Sequence, residues 1–328
     1  MKLAAALGIV YIVWGSTYLA IAVADHTLPP FLMLSARFLI AGALLYWWSA
    51  RRGELAGEQP GRRQWRAAAI VGGLLLVVDT GAVAWAEFRV SSGIAALLVA
   101  SVPIFMAILD RTCFGVRLSF GAVAGLLIGL LGVGLLVGAT GHVDAVGAVV
   151  LLGGALAWAA GSTYARVAPL PRRPILSAAM QMLCGGVMLA LVGIGHGELG
   201  QVHPAAISNA SLAAVLFLIV FGSLVAFTAY GWLLKNASTR LLSTYAYVNP
   251  AVAVFLGWAF IGERVGGREI AAGLVILSSI GLLVFARAPR EQSEPTPESL
   301  PFHIREQEAR GAELRTVPRL QELVRVTA

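Results

Sequence analysis

Two ionisable side chains stand well inside apolar runs of this sequence: Arg37 in "FLMLSARFLIAGALL" and Asp79 in "VGGLLLVVDTGAVAWA". A charge in such surroundings pairs with another charge, carries a proton or holds a charged solute. A second pattern is the tetrapeptide GSTY, at 15–18 and again at 161–164. Around the first copy Trp14, Thr17 and Tyr18 share one helical face, with Gly15 and Ser16 beside them. Around the second, Trp158 and Ser162 share a face, and Thr163 and Tyr164 complete the repeat. An indole or phenol offers a flat apolar face and a polar tip, which suits an amphipathic solute. The small hydroxyl residues serve cavity lining and close helix packing equally well. A third pattern is proline: Pro103 in "VASVPIF" beside Ser101, and Pro250 in "YAYVNPAVAV" beside Asn249. Each proline frees the carbonyl four residues earlier, at Val99 and Ala246, and makes either a hinge or a static kink.

The elements that must position these residues follow from composition. The chain is 58% hydrophobic and only 12% charged, where a soluble domain carries about 25% charged residues. Ten apolar runs are long enough to cross a bilayer as helices: 3–23, 30–50, 65–86, 91–113, 119–139, 145–165, 174–194, 209–233, 240–261 and 268–286. They are too long and too aliphatic for barrel strands. The first reads as an uncleaved span, since Trp14 and Tyr18 lie in it and another span follows directly. With the N-terminus in the cytoplasm, 20 Lys and Arg fall on the inner side and three on the outer, so both termini are expected inside. The net charge of +7 is then a topology signal and a contact with anionic lipid heads, not a nucleic-acid footprint.

An offset near 147 relates the two halves. Trp85 maps to Trp232, Pro103 to Pro250 and "GLLV" at 134–137 to "GLLV" at 281–284, while Arg37 maps to Gln181 with an offset of 144. The expected domains are a first repeat, 1–139, a second, 140–286, and a charged, disordered tail, 287–328. Five spans per repeat is an odd number, so the second copy runs inverted, as in secondary transporters. The fold class is therefore all-α integral membrane, ten transmembrane helices in two inverted five-helix repeats.

Arg37 and Asp79 each lie seven residues from the outer end of a span, about 10 Å deep at 1.5 Å per residue. Matching depth allows an ion pair; Arg37 can equally snorkel outward, and Asp79 can carry a coupling proton. Glu87, Asp110 and Glu263 sit at helix ends and are expected to be solvated. Cys113 and Cys184 read as small buried residues, and Gly121, Gly125 and Gly129 as a packing seam for span ten. Neither lysine, Lys2 or Lys235, follows a GxxxxGK[ST] pattern, so no P-loop drives the protein. All five histidines fall in loops or tail, so no histidine catalytic or metal cluster is expected in the membrane, and no cofactor. No repeated filter loop or charged ring marks a channel.

"YIVWGSTYLAIAVA", "SARFLIAGALL", "SSGIAALLVASVPIF", "FGSLVAFTAYGWLLKNAS" and "STYAYVNPAVAVFLG" followed by "GERV" together resemble the EamA family of the drug/metabolite transporter superfamily. The resemblance covers residues 7–287. It implies a bacterial inner-membrane protein with a central cavity lined by spans such as one, three, four, six, eight and nine. It also implies export of amino acids, other metabolites or toxic compounds. It places Trp14, Ser16, Thr17, Arg37, Ser101, Pro103, Ser162, Tyr245, Tyr247, Asn249 and Pro250 at family-like positions. The long tail and Asp79 depart from the family pattern. The leading expectation is a secondary exporter of small amphipathic metabolites, amino acids first. The alternatives are broad drug efflux and a membrane sensor that does not transport.

Overall fold

The computed structural model describes residues 3–57, 59–86, 89, 98–116, 119–137, 144–256 and 267–285. The tail 287–328, Glu87, Glu263 and the side chains of Tyr18 and Pro250 lie outside the described residues.

A helix falls on each of the ten expected segments. They are α1 (Leu3–Asp25), α2 (Pro30–Arg51), α3 (Arg62–Ala86), α4 (Val102–Phe114), α5 (Phe120–Val137), α6 (Ala145–Val167), α7 (Pro174–Gly195), α8 (Asn209–Asn236), α9 (Tyr245–Leu256) and α10 (Gly267–Phe285). Six of them, α1, α2, α3, α6, α7 and α8, are long and apolar enough within the described residues to cross a membrane. No strand occurs among the described residues.

Helix starts are written locally. Pro30 and Pro174 open α2 and α7 at the first turn, where a missing N–H costs nothing. Asp144 and Ser208 accept bonds from the free amides of Gly147 and Ser211 at the starts of α6 and α8. The first turn of α2 has a distant cap. Glu198, buried beyond the end of α7, accepts from the amides of Phe31 at 3.2 Å and Leu32 at 2.8 Å.

The packing has the symmetry that a repeat demands. α2 packs on α7 and α5 on α10; α1 lies on α9 as α4 lies on α6; α3 meets α6 and α7 as α8 meets α1 and α2. Exchanging each helix for its partner five places on leaves this set unchanged. Even irregularities repeat. α3 widens into a π-helical stretch at Gly73–Asp79, and α8 does so at Leu218–Phe227. The chain is an all-α membrane fold of two inverted five-helix repeats.

Glycine sets the closest approaches. A Cβ on Gly72 of α3 would lie 2.3 Å from the Gln181 carbonyl oxygen of α7, so only glycine fits there. In the expected α5 seam, Ser279 of α10 donates to the Gly125 carbonyl at 2.8 Å, and a Cβ on Gly129 would meet the Ser279 hydroxyl at 2.6 Å.

The two prolines are not equivalent. The backbone turns at Ala100–Ser101 and Pro103 sits in the first turn of the helix that follows, whereas α9 runs unbroken through Pro250. The break thus lies two residues before Pro103, whereas span nine turns at Thr244, six residues before Pro250, and stays helical through the proline. Restarting the helix places the missing N–H of Pro103 where no partner is required.

Candidate functional site

A cavity of about 100 Å³ opens among α1, α2, α3, α6, α8, α9 and the turn before α4. Its walls are Trp14, Thr17 and Ile21; Arg37 and Phe38; Leu76, Asp79, Thr80 and Val83; Val99 and Val102; Trp158; Gly222 and Phe227; Tyr245 and Asn249. Both π-helical stretches reach it. In a π turn each amide bonds five residues back, as Thr80 does to Leu75, and this extra residue re-aims the side chains that follow. Asp79 ends one such stretch, and Gly222 and Phe227 lie in the other.

Arg37 and Asp79 face this cavity together, yet no ion pair joins them among the described residues. Arg37 is only 5% exposed, so it does not snorkel. Its Nε donates to the Ser223 hydroxyl at 2.9 Å, and its guanidinium carbon stands 4.8 Å from the Phe38 ring centre. A Cβ on Gly222 would meet Arg37 Nη2 at 2.7 Å; glycine leaves room for the guanidinium. Asp79 is 8% exposed, and its buried Oδ1 has no hydrogen-bond partner. It rests against Gly154 of α6, where an added Cβ would come within 3.5 Å of that oxygen. The direct pair and the snorkel are both replaced by two opposite charges that share a cavity without touching.

Beside the charges lies an aromatic cluster. Trp14 meets Trp158 at 5.3 Å, Tyr230 at 4.9 Å and Tyr245 at 5.4 Å between ring centres. Trp14 Nε1 donates to the Gly222 carbonyl at 3.3 Å, and Trp158 Nε1 donates to the Tyr230 hydroxyl at 3.0 Å. Ser162 holds the same hydroxyl at 2.7 Å. The indole N–H groups and the Tyr230 hydroxyl therefore all have partners, as burial of Trp and Tyr requires. Thr17 bonds back to the Trp14 carbonyl at 2.7 Å. The Asn249 amide, oriented to donate, reaches the carbonyls of Tyr11 at 3.2 Å and Tyr245 at 3.1 Å. Tyr11 also bonds the Thr244 hydroxyl, tying α1 to the start of α9.

Several expected residues lie elsewhere. Tyr247 is fully buried against α5, its hydroxyl donating to the Leu126 carbonyl at 3.2 Å; it packs helices and does not line the cavity. Ser16 and Ser101 bond back to the carbonyls of Ile12 and Leu98, both at 2.6 Å, and neither lines the cavity. Pro103, Ser162, Thr163 and Tyr164 likewise do not line it. Asp110, expected to be solvated, is 5% exposed and meets Arg166 at 2.6 Å, because α4 and α6 bring the pair together. Cys113 is exposed, not buried. The central Tyr230 and the arginine's partner Ser223 escape the sequence reading. Tyr230 stands in "FTAYGWLLKN", one turn after the π stretch, and its spacing from Phe227 is the available signal.

Known proteins share this layout. A solved crystal structure superposes with a TM-score of 0.71 at 23% identity, covering 89% of this chain and all of that one, which shows the fold alone. The uncharacterized inner membrane transporter YedA of Escherichia coli K12 is 37% identical over 297 residues, 88% of this chain and 94% of that protein. A probable amino-acid metabolite efflux pump of Salmonella typhimurium is 22% identical over 84% of this chain and 93% of its own length. A probable terminal-alkyne amino-acid exporter of Streptantibioticus cattleyicolor is 24% identical over 89% of this chain and 96% of its own length. Residues 2–138 and 145–285 each match the EamA-like transporter family, and with YedA alike over most of both chains, the protein belongs to that family of multi-pass membrane transporters.

Proposed function

We propose that the protein is a secondary active exporter of small amphipathic metabolites, amino acids first, working by alternating access in the bacterial inner membrane with both termini in the cytoplasm. The observation that carries this reading is the pair of buried, opposite, unjoined charges at Arg37 and Asp79 on one small, largely apolar cavity. A lone buried charge is costly unless something pairs with it. A zwitterion supplies both partners: its carboxylate to the Arg37 fork, its ammonium to Asp79. Two charge-assisted bonds of about 2.8 Å plus the short span of an α-amino acid suit charges held apart. The apolar remainder of the solute then lies on Phe38, Val83 and the indole faces of Trp14 and Trp158. The names of the two amino-acid exporters among the relatives agree with this class.

Coupling follows from the same carboxylate. A proton from outside and the solute's ammonium compete for Asp79, so protonation there releases the solute outward and the returning carrier brings the proton in. Solute-panel uptake into inverted vesicles, with and without a pH gradient, tests this. Gradient-driven accumulation and counterflow of amino acids support it. Uptake restricted to hydrophobic cations favours broad drug efflux instead, and absence of any counterflow favours a sensor. The repeats are taken as 1–139 and 140–286, with 287–328 as a cytoplasmic tail.

A further inference from the structure

The repeat symmetry singles out a second cavity. It is small, about 20 Å³, room for one water, and lies among α3, α6, α7 and α8 near the end of the bundle where α7 begins. Four of its lining residues are symmetry counterparts of main-cavity residues. Gln181 occupies the place of Arg37 at the 144 offset; Leu75, Phe227 and Tyr230 occupy those of Gly222, Thr80 and Val83 at the 147 offset. The main cavity reaches Ile21 near the end of α1 and Arg37 near the start of α2; the small one reaches Ser177 near the start of α7 and Lys235 near the end of α8. The two therefore sit in opposite halves of the membrane. One residue, Phe227, lines both, and Tyr230 lines the small cavity while its ring packs on Trp14 and Trp158 of the large one.

Inverted repeats exchange conformations, so the lining of the open half predicts the lining of the other half when it opens. We propose that the small cavity is the inner subsite of the transport path, collapsed in this conformation, and that Phe227 and Tyr230 form the gate between it and the central site. This goes beyond the proposed export function but rests on its alternating access. The outer counterparts of the gate residues are Thr80 and Val83, smaller side chains, which is why the outer half holds the larger space here. The subsite takes the polar end of the same small solute. Its polar groups are the Ser177 hydroxyl, the Gln181 amide, which donates to that hydroxyl at 3.0 Å, the Tyr230 hydroxyl and the Lys235 ammonium, which donates to the Pro171 carbonyl at 3.1 Å. Hydrogen bonds to the three neutral groups are roughly half as strong as charge-assisted ones, so the solute end they hold passes on readily to Arg37.

The test is thiol labelling of the full chain in inverted vesicles, in a background of Cys113→Ser and Cys184→Ser. The probe is a methanethiosulfonate bearing a trimethylammonium group, and Leu176→Cys, buried at the same depth of α7 but away from both cavities, is the reference. Ser177→Cys is expected to label from the cytoplasmic face well above the reference. In right-side-out vesicles the probe must pass the gate to reach Ser177→Cys, and there Phe227→Ala should speed labelling by up to about tenfold, the equivalent of one lost aromatic contact. Tyr230→Phe, which keeps the ring and removes only its bonds, should give a smaller increase and serves if Phe227→Ala fails to fold. Labelling of Ser177→Cys no faster than Leu176→Cys, in every gate background, would make the small cavity a packing void and overturn the proposal. The readout uses no substrate, so a failure of the amino-acid reading in the uptake assay is separable from a failure here.

Discussion

Trp158 and Tyr230 meet through a hydrogen bond of 3.0 Å from indole to hydroxyl, with ring centres 5.3 Å apart, and so join α6 to α8 beside the central cavity. Ser162 holds the same hydroxyl from one turn further along α6. Tyr230→Phe keeps the packing but strands two buried polar groups. A stability loss of about 1–3 kcal/mol is expected. Thermal melting of the purified protein checks it, and adding Ser162→Ala to Tyr230→Phe should cost little more, since the serine's partner is already gone.

Arg37→Gln should weaken solute binding more than folding. Replacing a charge-assisted bond to a carboxylate costs about 1.5–3 kcal/mol, or roughly 10–100-fold in apparent affinity. The measurement is the half-saturation concentration for counterflow of the best amino acid. An unchanged value would remove Arg37 from the binding site.

Asp79→Asn should abolish dependence of uptake on the pH gradient and, because Asp79 also holds the solute's ammonium, weaken exchange as Arg37→Gln does. Because no ion pair joins Arg37 and Asp79, Arg37→Gln should not restore gradient dependence, and the coupling of the two stability effects through their shared cavity should stay below that of a direct pair. Strong rescue in the double mutant would mean that the two charges pair directly in another conformation.

Asp110→Asn breaks a bridge whose carboxylate side chain is 7% exposed and whose arginine is 28% exposed. A fully buried pair loses about 3–5 kcal/mol when one partner is removed, and the partial exposure of Arg166 lowers that here. The expected result is a lower melting temperature and faster cytoplasmic labelling of cysteines near α4 and α6. Wild-type values for both would make the bridge inert.

Pro103→Ala should slow transport more than Pro250→Ala. The backbone breaks beside the first and runs helically through the second. Alanine at 103 lets the helix extend across Ala100–Ser101 and removes the break. Turnover in vesicles at equal expression decides it, with equal effects counting against the asymmetry.

Much of this molecule is legible along the chain because the signals are local. Apolar length places the helices, Pro30 and Pro174 mark two starts, and the recurring GSTY and Pro positions reveal the duplication from which the inversion follows by counting. Trp14, Thr17, Trp158, Tyr245 and Asn249 are recognisable as wall residues, since their polar or aromatic character stands out in an aliphatic background.

What the tertiary structure decided was who meets whom. A lipid-embedded helix is apolar on every side, so its pattern carries no hydrophobic stripe to say which face turns inward, and rotation is settled by packing at residues such as Gly72 and Gly129. That rotation sent Tyr247 to α5 and brought Tyr230 to the centre. The π stretches added one more displacement that no spacing rule anticipates, and with it aimed Asp79 at the cavity and set Ser223 against Arg37. Equal depth along two helices fixed that Arg37 and Asp79 would be neighbours in height; only the lateral packing determined that they face one cavity without forming an ion pair.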